Sequence, residues 1–266
     1  MISVGMLRDV WAFRGFITSN VKREFQSRYR GTQFGAFWVV AHPLAMIVIY
    51  TIVFSKLMKP SMPNHSSEFA YSIYLCAGIL TWGLFGEMLA RCVNIFVEHA
   101  GILKKVNFPK LCLPIIVLVS GWLHFAIVLG LFLVFLLIIG NFPGWVLLAG
   151  IPVLVIQAAL TVGLGVLLAT INVFYRDVSQ SVTVILQFWF WVTPIVYAPT
   201  LIPERARAVL EFNPMWPLIR AYQGIFLDQT VPDWASLIYP TVLAALFCLL
   251  GAYSFLRLQG EIVDEL

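Results

Sequence analysis

Apolar residues in this chain come in long blocks rather than at the alternating spacing of half-buried strands. Six blocks approach or exceed the roughly 20 residues a helix needs to cross a bilayer: 34–57, 69–97, 111–139, 145–172, 179–198 and 235–256. Between them lie a polar stretch at 58–68, a basic one at 98–110, a tight turn at 140–144, a short link at 174–178 and a long broken segment at 199–234. The pattern predicts an all-α integral membrane fold in one domain over 1–266. Residues 1–33 would form an interface helix, 34–257 a six-span bundle and 258–266 a tail.

Two segments do not fit the spanning template. Near the start, Val10, Phe13, Ile17 and Val21 recur at helical spacing, while Arg14, Lys22, Arg23, Glu24 and Gln26 take much of the remaining surface. An apolar stripe beside basic residues describes a helix lying in the membrane interface. No apolar core with a small-residue cleavage site follows it, so the stretch is expected to be retained. The segment 199–234 is punctuated by Pro199, Pro203, Pro214, Pro217 and Pro232. Asn213-Pro214 reads as a helix start, with Asn as the cap and Pro at the first helical position. Leu218, Tyr222, Ile225 and Phe226 then supply a short apolar face. Non-helical backbone at membrane depth survives only against protein or a water-filled cavity. Short re-entrant helices on the outer side, between spans five and six, are the expectation.

Composition agrees with the pattern. Of 266 residues, 61% are hydrophobic and 11% charged, and the mean hydropathy is +0.90. Soluble domains carry about 25% charged residues, so a water-soluble globule and a disordered chain are both excluded. The formal charge is +4, and its placement is more informative than its size. With the N-terminus inside, Arg8, Arg14, Lys22, Arg23, Arg28, Arg30, Lys104, Lys105, Lys110, Arg176 and Arg257 fall on the cytoplasmic side. Lys56, Lys59, Arg205, Arg207 and Arg220 fall outside. The excess of inner Lys and Arg orients both ends towards the cytoplasm.

Catalytic chemistry is hard to find. The chain has no G-x-x-x-x-G-K-[ST] phosphate loop, no G-x-S-x-G elbow, no H-E-x-x-H and no carboxylate cluster. His42, His65, His99 and His124 are scattered, and Cys76, Cys92, Cys112 and Cys248 have no metal-ligand spacing. No metal site and no cofactor on this chain are expected. Glu87 and Arg91 form an intramembrane pair at i, i+4 in the favourable order. It reads either as self-neutralising or as lining a pathway. Aromatic residues make up 15% of the chain. Many sit at span ends as interfacial belts. A second use is a lining against which sugar rings stack, with Trp38, Tyr71, Tyr74, Trp82, Phe85, Trp189 and Trp191 as candidates.

Several strings carry a family resemblance. Lys22-Arg23-Glu24-Phe25, Arg28-Tyr29-Arg30-Gly31, Gly35, Trp38 and Pro43-Leu44 resemble the opening of type-2 ABC exporter permeases for cell-surface polysaccharides. Leu103-Lys104-Lys105-Val106-Asn107-Phe108-Pro109 with Leu113-Pro114 is similar to that family's coupling segment, and Asn172 to Val178 to its loop after the fourth span. Pro194-Ile195-Val196-Tyr197 and Asn213-Pro214-Met215 match its fifth span and outer gate, while Arg220-Ala221-Tyr222-Gln223 departs from the expected tyrosine–arginine order.

The resemblance implies a permease paired with a second copy of itself and driven by two separate ABC ATPase subunits. ATP and Mg would sit on those partners. The cargo would be a polyprenyl-diphosphate-linked polysaccharide moved out across a bacterial inner membrane. O-antigen is the first choice; capsule, teichoic acid, or a small drug or lipid are alternatives. Glu98, His99, Gly101, Leu103, Lys104 and Lys105 would carry the coupling helix, and Asn213, Pro214 and Tyr222 the outer gate. Arg28 and Arg30 would meet the diphosphate at the entrance, a task suited to guanidinium groups that stay charged and bind bidentately. A membrane-embedded glycan-lipid transferase is the contrasting class, and a nucleic-acid partner is not expected.

Overall fold

The computed structural model describes residues 11–27, 37–53, 67–104, 109–197 and 210–265. All regular structure among them is helical: α1 (Arg14–Ser27), α2 (Phe37–Ile52), α3 (Ala70–Glu98), α4 (Ala100–Leu103), α5 (Cys112–Ile138), α6 (Gly150–Phe174), α7 (Asp177–Val192), α8 (Met215–Gln223), α9 (Ile238–Leu258) and α10 (Glu261–Glu265). A 3-10 turn, Gly144–Ala149, leads into α6, and a π turn, Gly224–Asp228, continues α8.

Among the described residues, four helices are long and apolar enough to cross a membrane: α3, α5, α6 with its leading turn, and α9. They match four of the expected blocks to within a few residues. Of the other two blocks, α2 is described over Phe37–Ile52, with both ends of its block outside the described residues. α7 has 16 residues, about 24 Å at the α-helical rise, against a hydrocarbon core of about 30 Å. α7 stops at Val192 because Thr193 adopts an extended conformation (φ −86°, ψ 129°) before Pro194. A residue preceding proline is pushed out of the helical region by the pyrrolidine ring. The apolar block running on to residue 198 therefore contains a break that hydropathy alone does not register.

α3 is the central helix, mostly buried, whereas α5 and α9 keep most of their surfaces exposed. α6 packs most extensively on α9 and next on α3. The α6–α9 contact is a backbone approach. A Cβ on Gly163 would lie 2.5 Å from the Cys248 amide nitrogen, and one on Gly251 would lie 2.7 Å from the Gly163 carbonyl oxygen. Small residues permit this spacing, and helix association in a membrane depends on such close packing.

The core divides in two. One cluster holds the N-terminal half of α3, the later turns of α5 and most of α8. The other gathers Ile17 and Val21 of α1, Cys92, Ile95 and Phe96 of α3, the first turns of α5, the end of α6, and Phe255 and Ile262. Phe96 and Phe255 stack there with centroids 5.6 Å apart. Burying Ile17 and Val21 fixes α1 against this end, each contributing on the order of 1.5–3 kcal/mol where it leaves water. Arg14, Lys22 and Arg23 remain exposed, so α1 has the two-faced character its sequence predicts.

At the opposite end the 140–144 turn forms as expected, with Gly140 and Gly144 at φ +77° and +58°, a region open to glycine at no steric cost. Asn141 Nδ2 donates to the Phe226 carbonyl at 2.8 Å and ties this turn to the segment after α8.

An aromatic seam, an asparagine knot and a polar junction

The candidate aromatics gather along the seam between α3 and α7. Trp82 meets Trp189 edge-on at 5.9 Å and Phe190 at 5.8 Å, and Phe85 meets Trp189 at 5.3 Å. Phe85 is fully buried, Trp82 partly, and Trp191 is 65% exposed. Beside the seam lies an open cleft of about 480 Å³, lined by Trp82, Phe190 and Trp191 together with Thr183 and Gln187. Of the seven candidate lining residues, this cleft takes Trp82 and Trp191. Phe85 and Trp189 stand behind its wall as packing. Trp38 sits away from it on α2, exposed and edge-on to Phe37.

Tyr71 and Tyr74 serve another purpose. The break after α7 leaves backbone carbonyls without helical partners. The Tyr71 hydroxyl donates to the Val196 carbonyl, and Tyr74 donates to Pro194 at 3.0 Å. A buried carbonyl without a partner is costly, so the hydroxyls of these tyrosines hold the break in place.

Asn213 is the knot that joins this break to α8. Its Oδ1 accepts the Met215 amide at 3.0 Å, the capping bond expected of an Asn-Pro start, and also the Trp189 indole at 2.9 Å. Its Nδ2 donates to Thr193 Oγ1 at 2.8 Å. Pro214 begins the turn at φ −65°. Tyr222 is buried on α8, its ring stacked with Phe226 at 6.1 Å. Asn172 makes a matching tie at the other end of α7. It is buried, donates to the Val93 carbonyl at 3.1 Å and accepts the Ser179 amide at 3.0 Å, linking α3, α6 and α7.

At the end carrying α1, the Glu87–Arg91 pair is present, with Arg91 Nη1 3.7 Å from Glu87 Oε1. The closer partner of Arg91 is Glu24 of α1, through Nη2. Glu24 Oε2 also accepts the Ser120 hydroxyl of α5 at 2.8 Å, and His124 Nε2 lies 3.9 Å from Glu87. The i, i+4 pair is thus part of a five-residue junction across three helices. Glu24 and Ser120 are missed by spacing arguments because they are 67 and 29 residues from Arg91 along the chain.

The expected coupling segment forms a bend and a short helix. α3 ends at His99 (φ −103°, ψ 14°), whose Nδ1 lies 2.9 Å from the Ile95 carbonyl. α4 follows, held by buried Leu103, with Glu98, Gly101 and Lys104 exposed. Lys105, Arg28 and Arg30 lie outside the described residues. Nearby, Lys110 Nζ donates to the Gln259 carbonyl. Burial lowers the Lys110 pKa and the charge of Asp264 opposes that shift. Among the described residues no group of three or more His, Cys, Asp or Glu could hold a metal ion.

A family model described as ABC-2 type transporter matches residues 16–227. The chain belongs to the ABC-2 type transporter family. It is 32% identical over 232 residues to the O-antigen export system permease protein RfbA of Myxococcus xanthus, covering 86% of this chain and 87% of that protein. An O-antigen export system permease protein RfbA of Klebsiella pneumoniae is 29% identical over 221 residues, 82% of this chain and 83% of that one. The polysialic acid transport protein KpsM of Escherichia coli is 19% identical over 237 residues, 87% and 89% of the two chains. This ABC-2 permease is a membrane transport subunit rather than an enzyme, in a family that works with ATPase partners. The family match spans α1 through the π turn after α8. It therefore covers the junction, α4, the aromatic seam and the asparagine knot.

Proposed function

We propose that this permease is the transmembrane subunit of an ATP-driven exporter of polyprenyl-diphosphate-linked O-antigen across the bacterial inner membrane. It works as a homodimer with two ABC ATPase subunits, and both its termini are cytoplasmic. The bundle has six spans, of which α7 is the short one, and α8 with its π turn is re-entrant from the outer side. The observation that carries the reading is the cleft beside α3 and α7, where Trp82, Phe190 and Trp191 stand with Thr183 and Gln187 and no charged group. Aromatic faces offer a sugar ring contact without fixed hydrogen-bond geometry. A neutral surface of that kind suits a long polymer that must slide.

Two further features support the assignment. The chain lacks a phosphate loop, so ATP must be used on another chain. α4 is a short helix anchored by Leu103, with Gly101 exposed on it and Glu98 and Lys104 exposed at its two flanks, a shape suited to docking in a partner's cleft. Arg28 and Arg30 meet the diphosphate at the entrance. The relatives named for O-antigen export favour that glycan, and the more distant polysialic acid relative favours a capsular polymer as the second reading.

Purified permease reconstituted with its ATPase provides the test. Lipid-linked glycan should stimulate ATP hydrolysis, and W82A with W191A should reduce that stimulation at least threefold while leaving the basal rate unchanged. Equal stimulation by the bare polyprenyl diphosphate would remove the glycan from the reading.

A further inference from the structure

A second cavity, separate from the cleft along α7, lies between α2, α3 and α5, with a volume of about 220 Å³. Its ionisable side chains His42, Glu87 and His124 line one end, and Tyr50, two turns further along α2, adds a hydroxyl to an otherwise apolar lining. From Glu87 it follows α3 past Gly83 and Leu80 to Cys76, with Phe132 of α5 near the far end. Eleven residues separate Glu87 from Cys76, about 16 Å along a helix axis. That is close to one leaflet's share of the hydrocarbon core, about 15 Å.

The floor of this groove is open. Gly83 is exposed although it sits on the most buried helix, and a Cβ built there would meet nothing within 4 Å. His42 and Met46 are exposed on the α2 side, so the groove opens laterally. Its polar foot adjoins the Glu24–Arg91–Ser120 contacts that hold α1, and α1 is the interface helix. An apolar trough one leaflet deep, with its polar groups beside the interface, has the polarity and length of an amphiphile's single chain. Void space there would forfeit dispersion contacts.

We infer that the groove between α2, α3 and α5 binds one acyl chain of a membrane glycerophospholipid, whose polar head rests at His42, Glu87 and His124. Imidazole donors face the phosphate and ester oxygens, and the Glu87 carboxylate accepts from an ammonium or hydroxyl group. A polyprenyl chain is the wrong occupant, since a groove of one leaflet's depth would leave most of it outside.

The test uses the full-length permease with its ATPase in nanodiscs containing phosphatidylethanolamine with a photoreactive diazirine at mid-chain. Labelling should map to the Leu80–Leu84 stretch and to Val128. G83L fills the floor and should cut that labelling at least fivefold. G130L adds the same bulk where nothing lies within 4 Å of the Cβ and should leave it unchanged. V128F narrows the opposite wall and provides a second filling variant if G83L does not purify as a monodisperse species. Labelling that both filling variants leave intact, or that maps only to other faces, overturns the inference. So does labelling of these residues by a diazirine polyprenyl phosphate but not by the phospholipid, or crosslinking of G83C to a second copy through a short spacer. Loss of glycan-stimulated ATPase activity is a separate readout, so failure here leaves the export reading standing.

Discussion

Arg91 shows how a single side chain can hold two carboxylates where three helices meet. It reaches Glu24 on α1 and stands 3.7 Å from Glu87 on its own helix. R91A leaves both acids without their cation in a partly desolvated site. Charged hydrogen bonds contribute about 1.5–3 kcal/mol, so the variant should unfold several degrees lower in a detergent melt. The swapped pair E24R with R91E should recover much of the loss, whereas E24R alone should not. Asn213 carries a comparable role among neutral groups. N213A orphans the Trp189 indole and the Met215 amide together, while the Thr193 hydroxyl loses the donor it accepts from and keeps its own bond to the Trp189 carbonyl. A cost of about 2 kcal/mol is expected, with quenching of Trp189 fluorescence by acrylamide increasing as the indole loosens.

The elements divide by how their formation is decided. α3, α5, α6 and α9 follow from length and apolarity, and their predicted limits agree with the structure to a few residues. α1 was legible from the spacing of Ile17 and Val21 against Arg14, Lys22 and Arg23. The end of α7 is not legible from hydropathy, because Thr193 and Pro194 break a block that stays apolar. The Asn213-Pro214 start was readable from local chemistry, but its bonds to Trp189 and Thr193 were not, since they join residues 24 and 20 apart. The bonds of Tyr71 and Tyr74 to the 194–196 carbonyls are likewise not readable from the sequence, since they join residues more than 100 apart. The two hydroxyls are consumed by carbonyls that only the α7 break exposes. The α6–α9 contact yields a sharper prediction. In G163L, Cβ would start 2.5 Å from the Cys248 backbone nitrogen, where relief requires the helices to separate. Overpacking of this kind costs about 3 kcal/mol or more, and the variant should elute as aggregate rather than as a monodisperse peak on size exclusion. G130L, on an open face, should elute normally.

For the whole molecule, sparse charge and a missing phosphate loop predict a conduit powered from another chain, and the helices sort by position along the bundle. α1, α4 and the polar junction share one end of the bundle, while the 140–144 turn, the π turn and the asparagine knot share the other. The aromatic seam lies between them on α3 and α7. α4 follows α3 directly, and the junction ties α3 to α1 and α1 to α5. Charge reversal at Lys104 and Lys105 should therefore uncouple the ATPase, lowering glycan-stimulated hydrolysis at least fivefold without altering the melting temperature of the permease. The most direct test of the central claim is a strain from which this gene alone is deleted, scored for surface O-antigen and for lipid-linked glycan facing the cytoplasm. Surface glycan should disappear, lipid-linked glycan should accumulate inside, and the wild-type chain should reverse both. Normal surface O-antigen in the deletion strain would contradict the account.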